Sequence, residues 1–175
     1  MPGRSAISFA RNRLRRDAEA ASVLKYPNIV TVRDVFEDNE RAYVVMEYVE
    51  GGTLAEGLKH RPLPEAVGIL KLVCQAADAL DYTQARGVIR RDIKPATIMI
   101  DSTGNTKIMA VGIARISDAR TCTPTGMVTG TVEYMAAEQI LGVALDGHAD
   151  QFALGVVAYQ MMTGGTLFGP NNSPP

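Results

Sequence analysis

The order of apolar and polar residues divides the chain into a small number of predicted elements. From Thr31 to Val49, two β-branched and aromatic runs flank a polar turn, which is the pattern of a β-hairpin. From Pro64 to Arg86, apolar residues recur at helical spacing and stop before Gly87, so the pattern predicts a core helix capped by that glycine. The face predicted to be buried consists of Ala66, Ile69, Leu70, Val73, Ala77 and Leu80.

Two further helices are predicted towards the ends of the chain. Apolar residues between Phe9 and Leu24 recur at helical spacing, which is typical of an amphipathic helix. The Arg-rich opening also fits a transit peptide, but the helix is favoured because its pattern continues without a break up to Pro27. The run from Asp150 to Gly164 is apolar almost throughout, which predicts a helix buried on all sides.

The composition narrows the class of protein. With 175 residues, 46% of them hydrophobic, the chain is long enough for one ordinary domain and has no excess of charge that would indicate disorder. Its net charge of −1 leaves no basic surplus for nucleic acid or an anionic membrane, so neither is expected as a partner. Cys74 and Cys122 are too few for a disulfide framework or a zinc site, and no apolar run is long enough to cross a bilayer. A cytoplasmic protein with reduced thiols is predicted, with Cys74 packed inside the core helix.

Charged residues stand beside a predicted core strand in the stretch from Val88 to Ile100. Asp92 and Lys94 lie in a Pro-containing turn that leads directly into the apolar run at residues 98–100. A loop that enters a buried strand is held rigidly, so an acid and a base at this spacing can be aimed at one reacting atom. We therefore expect any chemistry of this chain to take place at this turn.

The stretch resembles the catalytic loop of protein kinases, His-Arg-Asp-Leu-x-x-x-Asn, and its sequence is most similar to that of bacterial serine/threonine kinases. The resemblance implies that Asp92 is the catalytic base and that Lys94 acts beside it. Arg90 stands where the family has His, and Thr97 stands where the family has the Asn that binds magnesium.

The resemblance also implies a nucleotide site. Met46 corresponds to the residue that guards the back of the adenine pocket, and Glu47, Tyr48 and Val49 correspond to the hinge, which binds adenine through backbone groups. Met99, just after the catalytic loop, is assigned to the same nucleotide-binding set.

The first predicted helix resembles the αC helix of kinases, in which a Glu pairs with the ATP-positioning Lys of a neighbouring strand. Counting back from Pro27, the matching residue is Asp17, one methylene shorter, with Glu19 as a less well placed substitute. Neither a Gly-rich phosphate loop nor a Val-Ala-x-Lys strand precedes Asp17 in this sequence. An exposed carboxylate without a Lys partner is therefore the expectation for Asp17.

A second predicted hairpin, with its turn at residues 101–106, ends in a degenerate metal motif. Ala110, Val111 and Gly112 correspond to the family's Asp-Phe-Gly, whose Asp holds magnesium between the nucleotide phosphates. Ala110 has no atom that coordinates a hard cation, and Thr97 offers at best a hydroxyl. The magnesium site is therefore predicted to be lost, and binding of ATP is expected to be weak.

Other substitutions fall in a column of stacked apolar side chains. In active members of the family, this column fixes the active arrangement of the domain. The counterparts of its members are Arg90, Val111 and Ala21, which fill that volume poorly. A buried guanidinium without a partner is costly, so Arg90 is expected to reach solvent or Asp17.

Residues 117–129 form a Thr-rich segment that matches the family's activation segment and is either phosphorylated or simply solvated. The segment ends in Gly-Thr-Val-Glu-Tyr-Met-Ala-Ala-Glu, which resembles the family's closing motif. The resemblance implies that Thr131 touches the catalytic base and that Glu138 has a structural role. It also implies that Asp150, at the start of the αF helix, bonds to the backbone of the catalytic loop.

The predicted fold class is α+β: a protein-kinase-like fold with a mostly helical C-lobe and a truncated N-lobe made of αC and the first hairpin. Residues 1–49 are assigned to the N-lobe remnant, residues 50–165 to a partial C-lobe through αF, and residues 166–175 to a flexible tail. One helix and one hairpin are marginal on their own. The protein is therefore expected to be partly unfolded or completed by another chain.

Three interpretations of function remain open. The preferred one is a pseudokinase-like module that has lost catalysis and acts by binding a protein partner, which the sequence does not identify. The alternative is an active, ATP-dependent serine/threonine protein kinase represented by an incomplete domain. The third is a degraded reading frame without a function, which predicts no soluble expression.

Overall fold

The computed structural model describes residues 18–38, 41–59, 65–109 and 132–168. These residues form a two-stranded and a three-stranded sheet together with two long helices, which confirms the α+β class. In chain order the elements are a helical segment at residues 18–22 (α1), β1 Val32–Asp38, β2 Arg41–Met46, β3 Gly51–Thr53, α2 Leu54–Gly57, α3 Ala66–Gln84, a 3-10 turn Pro95–Thr97, β4 Ile98–Asp101, β5 Thr106–Ile108, a second 3-10 turn Val132–Tyr134, α4 Ala137–Leu141 and α5 His148–Thr163.

The first predicted hairpin is confirmed. Strands β1 and β2 are antiparallel, with Val35 opposite Val44 and Phe36 opposite Tyr43. The Phe36 and Tyr43 rings stack with their centroids 5.1 Å apart on the more exposed face of the hairpin. Such cross-strand aromatic pairs stabilise a hairpin beyond the area that they bury.

The second sheet has the order β3-β4-β5, and all its strands are antiparallel. The hairpin of β4 and β5 was predicted, whereas the short strand β3, which starts at Gly51, was not. A Cβ atom at Gly51 would overlap the carbonyl oxygen of Ile100 on the neighbouring strand. The glycine is therefore needed because the two backbones approach too closely for a side chain.

A short segment between α1 and β1 lies along β5 and joins the two sheets. The N–H of Val30 donates to the carbonyl of Ile108 at 2.9 Å, and the N–H of Ile108 donates to the carbonyl of Asn28 at 2.8 Å. Ile29 and Ile108 form a parallel bridge, and the Asn28 side-chain amide donates to the Thr106 carbonyl at 2.7 Å. These bonds attach the first hairpin to the second sheet.

Helix α3 forms as the apolar spacing predicted, and it packs against α5. Just after it, Gly87 adopts a φ of 73°, and the Val88 N–H donates to the Thr83 carbonyl. This left-handed ending confirms the predicted glycine cap. The core around α3 and α5 includes the fully buried side chains of Leu24, Ile29, Ile93, Ile108, Val156, Val157 and Met161.

Three residues of α3 were assigned to the wrong environment. Leu70 is 63% exposed, and Ala66 and Cys74 are exposed rather than packed in the core. The buried face is instead centred on Ile69, Ala76 and Leu80. Since neighbouring residues are about 100° apart around a helix, a small error in the centre of the stripe moves its flanking residues into solvent.

Helix α5 is not buried on all sides among the described residues. Ala153, Val156 and Val157 are buried, whereas Phe152 is 41% exposed and Met162 is 62% exposed. The prediction of complete burial was therefore wrong. A helix sequence that is apolar throughout does not show which of its faces contacts the core. No helix in the described ranges is both long and apolar enough to cross a membrane.

The turn between β4 and β5 depends on one carboxylate. Oδ1 of Asp101 accepts hydrogen bonds from the N–H groups of Asn105 and Thr103 and from the Thr103 hydroxyl, at 2.7–2.9 Å. Led by the bond from the Asn105 backbone, these contacts hold the pKa of Asp101 below its usual value of 3.8.

This lowered pKa makes the turn sensitive to acid. Because the folded-state pKa of Asp101 is lowered, its stabilising contribution is present above pH 3.8 and is lost as the pH falls through the folded value. We expect Asp101→Asn to lower the Tm at neutral pH, and the difference from wild type to shrink on acidification below about pH 4. A Tm series against pH measures both effects, with the exposed neighbour variant Ser102→Ala as the control. A difference in Tm between wild type and Asp101→Asn that is independent of pH would contradict this assignment.

Candidate functional site

The loop from Val88 to Thr97 connects α3 to β4 and is tied to the start of α5. The N–H groups of Arg90 and Arg91 donate to Oδ2 and Oδ1 of Asp150, each at 2.7 Å. The contact between Asp150 and the loop backbone that the resemblance implied is therefore present. Burial raises the pKa of Asp150, and the two backbone bonds act against that rise.

These two bonds hold an unusual backbone conformation. Arg91 has a φ of 61°, the only positive φ of a non-glycine residue among the described residues. A left-handed conformation at such a residue costs roughly 1–3 kcal/mol and persists only where the surroundings impose it. Asp150 supplies this constraint, and the Arg91 carbonyl also accepts a bond from the side-chain amide of Gln139 at 3.0 Å.

The acid and the base of the loop lie in contact with each other. Nζ of Lys94 lies 3.2 Å from Oδ1 of Asp92, and both residues are buried. A charge pair inside the protein is screened less by water than a surface pair, so the two side chains constrain each other's position.

Thr97 is buried, and its hydroxyl is committed to the loop itself. The Oγ1–H group lies within donating distance of the carbonyls of Asp92 at 2.8 Å and Lys94 at 3.0 Å, and Oγ1 accepts the N–H of Lys94 at 3.1 Å. These bonds use the proton of the hydroxyl and one of its two lone pairs. Thr97 therefore acts as a brace across the turn.

Of the two positions expected for the Arg90 side chain, the one in solvent was wrong, and the one against Asp17 stays a prediction. The Arg90 guanidinium is buried near the carboxylates of Asp150 and Asp92 rather than directed to solvent, and Asp17 lies outside the described residues. Burial is the main cause that lowers the pKa of Arg90 to about 10, and the two carboxylates oppose it. Within the described part of the chain, Nη1 of Arg90 has no hydrogen-bond partner.

The segment assigned to the hinge follows β2. Met46 is half-buried, Val49 is buried and Tyr48 is 90% exposed. The N–H of Glu47 donates to the Thr31 carbonyl at 2.9 Å. Its carboxylate binds Nζ of Lys107 at 2.6 Å, a contact that no local pattern in the sequence could have indicated.

Met99 is half-buried on β4, where it lies opposite Thr53. Four other residues of the predicted site, Asp17, Ala110, Val111 and Thr131, lie outside the described residues. Ala21, the third member of the apolar column, is buried. In the described ranges no group of three or more His, Cys, Asp or Glu is arranged to hold a metal ion.

The segment after the Thr-rich stretch is anchored to α5. The hydroxyl of Tyr134 donates to Oε1 of Gln160 at 2.6 Å, and Glu138 is half-buried in the first turn of α4. Burial is the main cause that raises the pKa of the Tyr134 hydroxyl. Sequence reasoning missed Gln139 and Gln160, since each contacts residues that are distant along the chain.

A comparison with protein families matches residues 4–174 to the family model described as "Protein kinase domain". Among curated proteins, the chain is 42% identical over 159 residues to "Serine/threonine-protein kinase PknB" of Mycobacterium leprae. It is 40% identical over 155 residues to "Serine/threonine-protein kinase PrkC" of Bacillus subtilis and 39% identical over 158 residues to "Serine/threonine-protein kinase Pkn1" of Myxococcus xanthus. Each match covers 87% of this chain but only 22–25% of the relative, so the chain spans about a quarter of their length.

Proposed function

Because this chain belongs to the protein kinase family, we propose that it is a serine/threonine protein-kinase-like module that has lost metal-dependent phosphoryl transfer and acts by binding. The observation that carries the proposal is the state of Thr97, which stands at the position of the family's metal-binding Asn. The proton of its hydroxyl is already shared between the carbonyls of Asp92 and Lys94. One lone pair of the same oxygen accepts the N–H of Lys94.

The residues present do not fit a magnesium ion held in the family's manner. A hard cation needs several oxygen ligands with free lone pairs. At the position of the family's other ligand stands Ala110, which has no side-chain oxygen. The two substitutions together remove both side-chain ligands that the family provides, which supports loss of the metal site.

The size of the effect supports an inactive protein. In metal-dependent transfer the ion contributes several kcal/mol, and each 1.4 kcal/mol corresponds to about a factor of ten in rate. A general base such as Asp92 contributes typically about 10²- to 10⁴-fold and works only on a substrate that is already positioned. Retention of the Asp92–Lys94 pair therefore does not offset loss of the metal.

Weak binding of an adenine nucleotide remains part of the proposal. A hinge binds the base through backbone groups, so Glu47, Tyr48 and Val49 retain the required atoms whatever their side chains. The assignment of residues 1–49 to the N-lobe, of 50–165 to the C-lobe and of 166–175 to a tail is part of the same proposal, as is a cytoplasmic location. The partner is proposed to be a protein, since the net charge of −1 offers no surplus for nucleic acid.

One set of observations favours a second candidate, an active serine/threonine kinase. Asp92 and Lys94 are buried and paired, and Asp150 ties the loop to α5. The relatives named above are themselves called serine/threonine kinases. This candidate requires a metal site built from ligands other than those at positions 97 and 110.

Two measurements on the purified chain separate the candidates. We expect ATP to raise the Tm by at most about 1–2 °C, as for a weak ligand, and equally with Mg²⁺ or with EDTA. We also expect no transfer of labelled phosphate to a generic protein substrate. Magnesium-dependent transfer that disappears in Asp92→Asn would establish the active kinase and overturn the proposal.

A further inference from the structure

The ion pair between Glu47 and Lys107 connects the hinge to the second sheet. Glu47 immediately follows β2, and Lys107 is the central residue of β5. Their charged atoms are 2.6 Å apart, and the two side chains are only 20% and 22% exposed. The pair joins residues that are 60 positions apart in the sequence.

The pair works together with a second contact at the same residue. The backbone N–H of Glu47 donates to the carbonyl of Thr31, at the end of the segment that lies along β5. That segment is itself fixed to β5, because the N–H of Val30 donates to the carbonyl of Ile108. Glu47 is therefore held twice, by its backbone to residue 31 and by its carboxylate to Lys107.

The solvent exposure of the pair determines how much it can contribute. Fully exposed ion pairs contribute little, because water screens the charges and the free side chains lose entropy when they pair. About four-fifths of each side chain is buried here, and the geometry is that of a short charge-assisted hydrogen bond. Such a contact is strong enough to select one backbone position of a short segment.

We propose that the Glu47–Lys107 pair, named here the hinge latch, fixes the backbone of residues 47–49 before a nucleotide binds. Lys107 is then a positioning residue that does not itself touch the nucleotide. The inference rests on the proposed binding of adenine at the hinge. A segment that is ordered in advance binds more tightly, because the ligand does not have to order it.

The latch is tested first without any nucleotide. The reporter is the Glu47 amide, which is bonded to Thr31, and the reference is the Val30 amide, which is bonded to Ile108. In Lys107→Met we expect hydrogen exchange at Glu47 to accelerate by about fivefold or more, while Val30 is unchanged, as in a local opening. An equal acceleration at both amides, or none at either, would overturn the latch.

A matched control keeps the change of residue but moves it away from the hinge. Nζ of Lys71 donates to the Gly104 carbonyl, at the turn next to β5, and makes no contact with residues 47–49 in the described structure. Lys71→Met should leave exchange at Glu47 unchanged. The reversed pair Glu47→Lys with Lys107→Glu should restore slow exchange, and failure of this rescue when both single variants are fast would show that the charge pair is not the cause.

The second test uses ADP in EDTA as the probe. We expect Lys107→Met to weaken ADP binding by roughly three- to tenfold, Lys71→Met to leave it unchanged and the reversed pair to recover most of the affinity. An unchanged affinity in Lys107→Met would overturn the role of the latch in binding. If the wild-type chain does not bind ADP, the proposed nucleotide binding fails, whereas the exchange experiment still decides whether the latch holds the hinge.

Discussion

Replacement of Asp150 by alanine is expected to destabilise the folded chain by about 3–5 kcal/mol, the range found when one partner of a buried charged network is removed. The carboxylate is 4% exposed and accepts the N–H groups of Arg90 and Arg91. Without it, two amides lose their acceptor and the Arg90 guanidinium loses a neighbouring charge. The positive φ of Arg91 also loses its constraint, so the loop is expected to relax to a different conformation.

Asp150→Asn separates the shape of the side chain from its charge. The amide has one acceptor oxygen, so its NH₂ group faces a backbone N–H where the carboxylate had a second oxygen. We expect a loss of about 2–3 kcal/mol, smaller than for alanine. Urea unfolding with a fitted m-value measures both variants.

Asp146 provides the matched control for Asp150. Its side chain is 70% exposed and accepts bonds from the backbone and ring of His148, at the start of the same helix. Asp146→Asn is expected to change stability much less than either Asp150 variant, as for most surface substitutions. If Asp146→Asn and Asp150→Ala lowered the free energy of unfolding equally, the bonds of Asp150 to the loop would not be the source of the stability that this residue contributes.

Under the proposed function, restoration of the two family ligands is expected to create a dependence on magnesium that is absent from the wild-type chain. In the double variant Thr97→Asn with Ala110→Asp, two side chains provide oxygen atoms at the positions where the family holds its metal. We expect ATP to bind at least about tenfold more tightly with Mg²⁺ than with EDTA, which is about 1.4 kcal/mol. Titration calorimetry of wild type and variant under both conditions measures the ratio.

The control for this gain in magnesium-dependent binding keeps the size of the new side chain at position 110 and removes its charge. Thr97→Asn with Ala110→Asn should show the same ATP affinity in Mg²⁺ and in EDTA, because a neutral amide attracts the cation much less than a carboxylate. A wild-type chain that already binds ATP tenfold more tightly with Mg²⁺ would show that a magnesium site persists in it.

Elements defined by local periodicity were predictable from the sequence. The hairpin of β1 and β2 and the helix α3 appear where their apolar patterns placed them. The proximity of Asp92 and Lys94 also follows from a short stretch, since a tight turn of few residues leaves their side chains little freedom. In each of these cases the information lies within a short window of sequence.

Several features that depend on distant residues were not predictable from local patterns, whereas the contact of Asp150 with the loop was expected from the family resemblance alone. Leu70 and Cys74 were misplaced because the buried face of α3 is set by its packing on α5, which the sequence of α3 alone does not contain. The buried guanidinium of Arg90 interacts in the same way with a distant carboxylate, that of Asp150, 60 residues away. The strand at Gly51 was not predicted, because only the position of β4 shows that the two backbones approach too closely for a side chain at this glycine.

The attachment of residues 28–30 to β5 has a consequence for biosynthesis. Asn28 and Thr106 are 78 residues apart, and closing a loop of that length costs about 4 kcal/mol of entropy before any contact is gained. The first hairpin ends at Met46, and β5 begins at Thr106. A ribosome adds about 5–20 residues per second, so the hairpin is complete roughly 3–12 seconds before the strand that secures it. During that interval Val32 on the buried side of the hairpin lacks the core cluster that it later shares with Ile108.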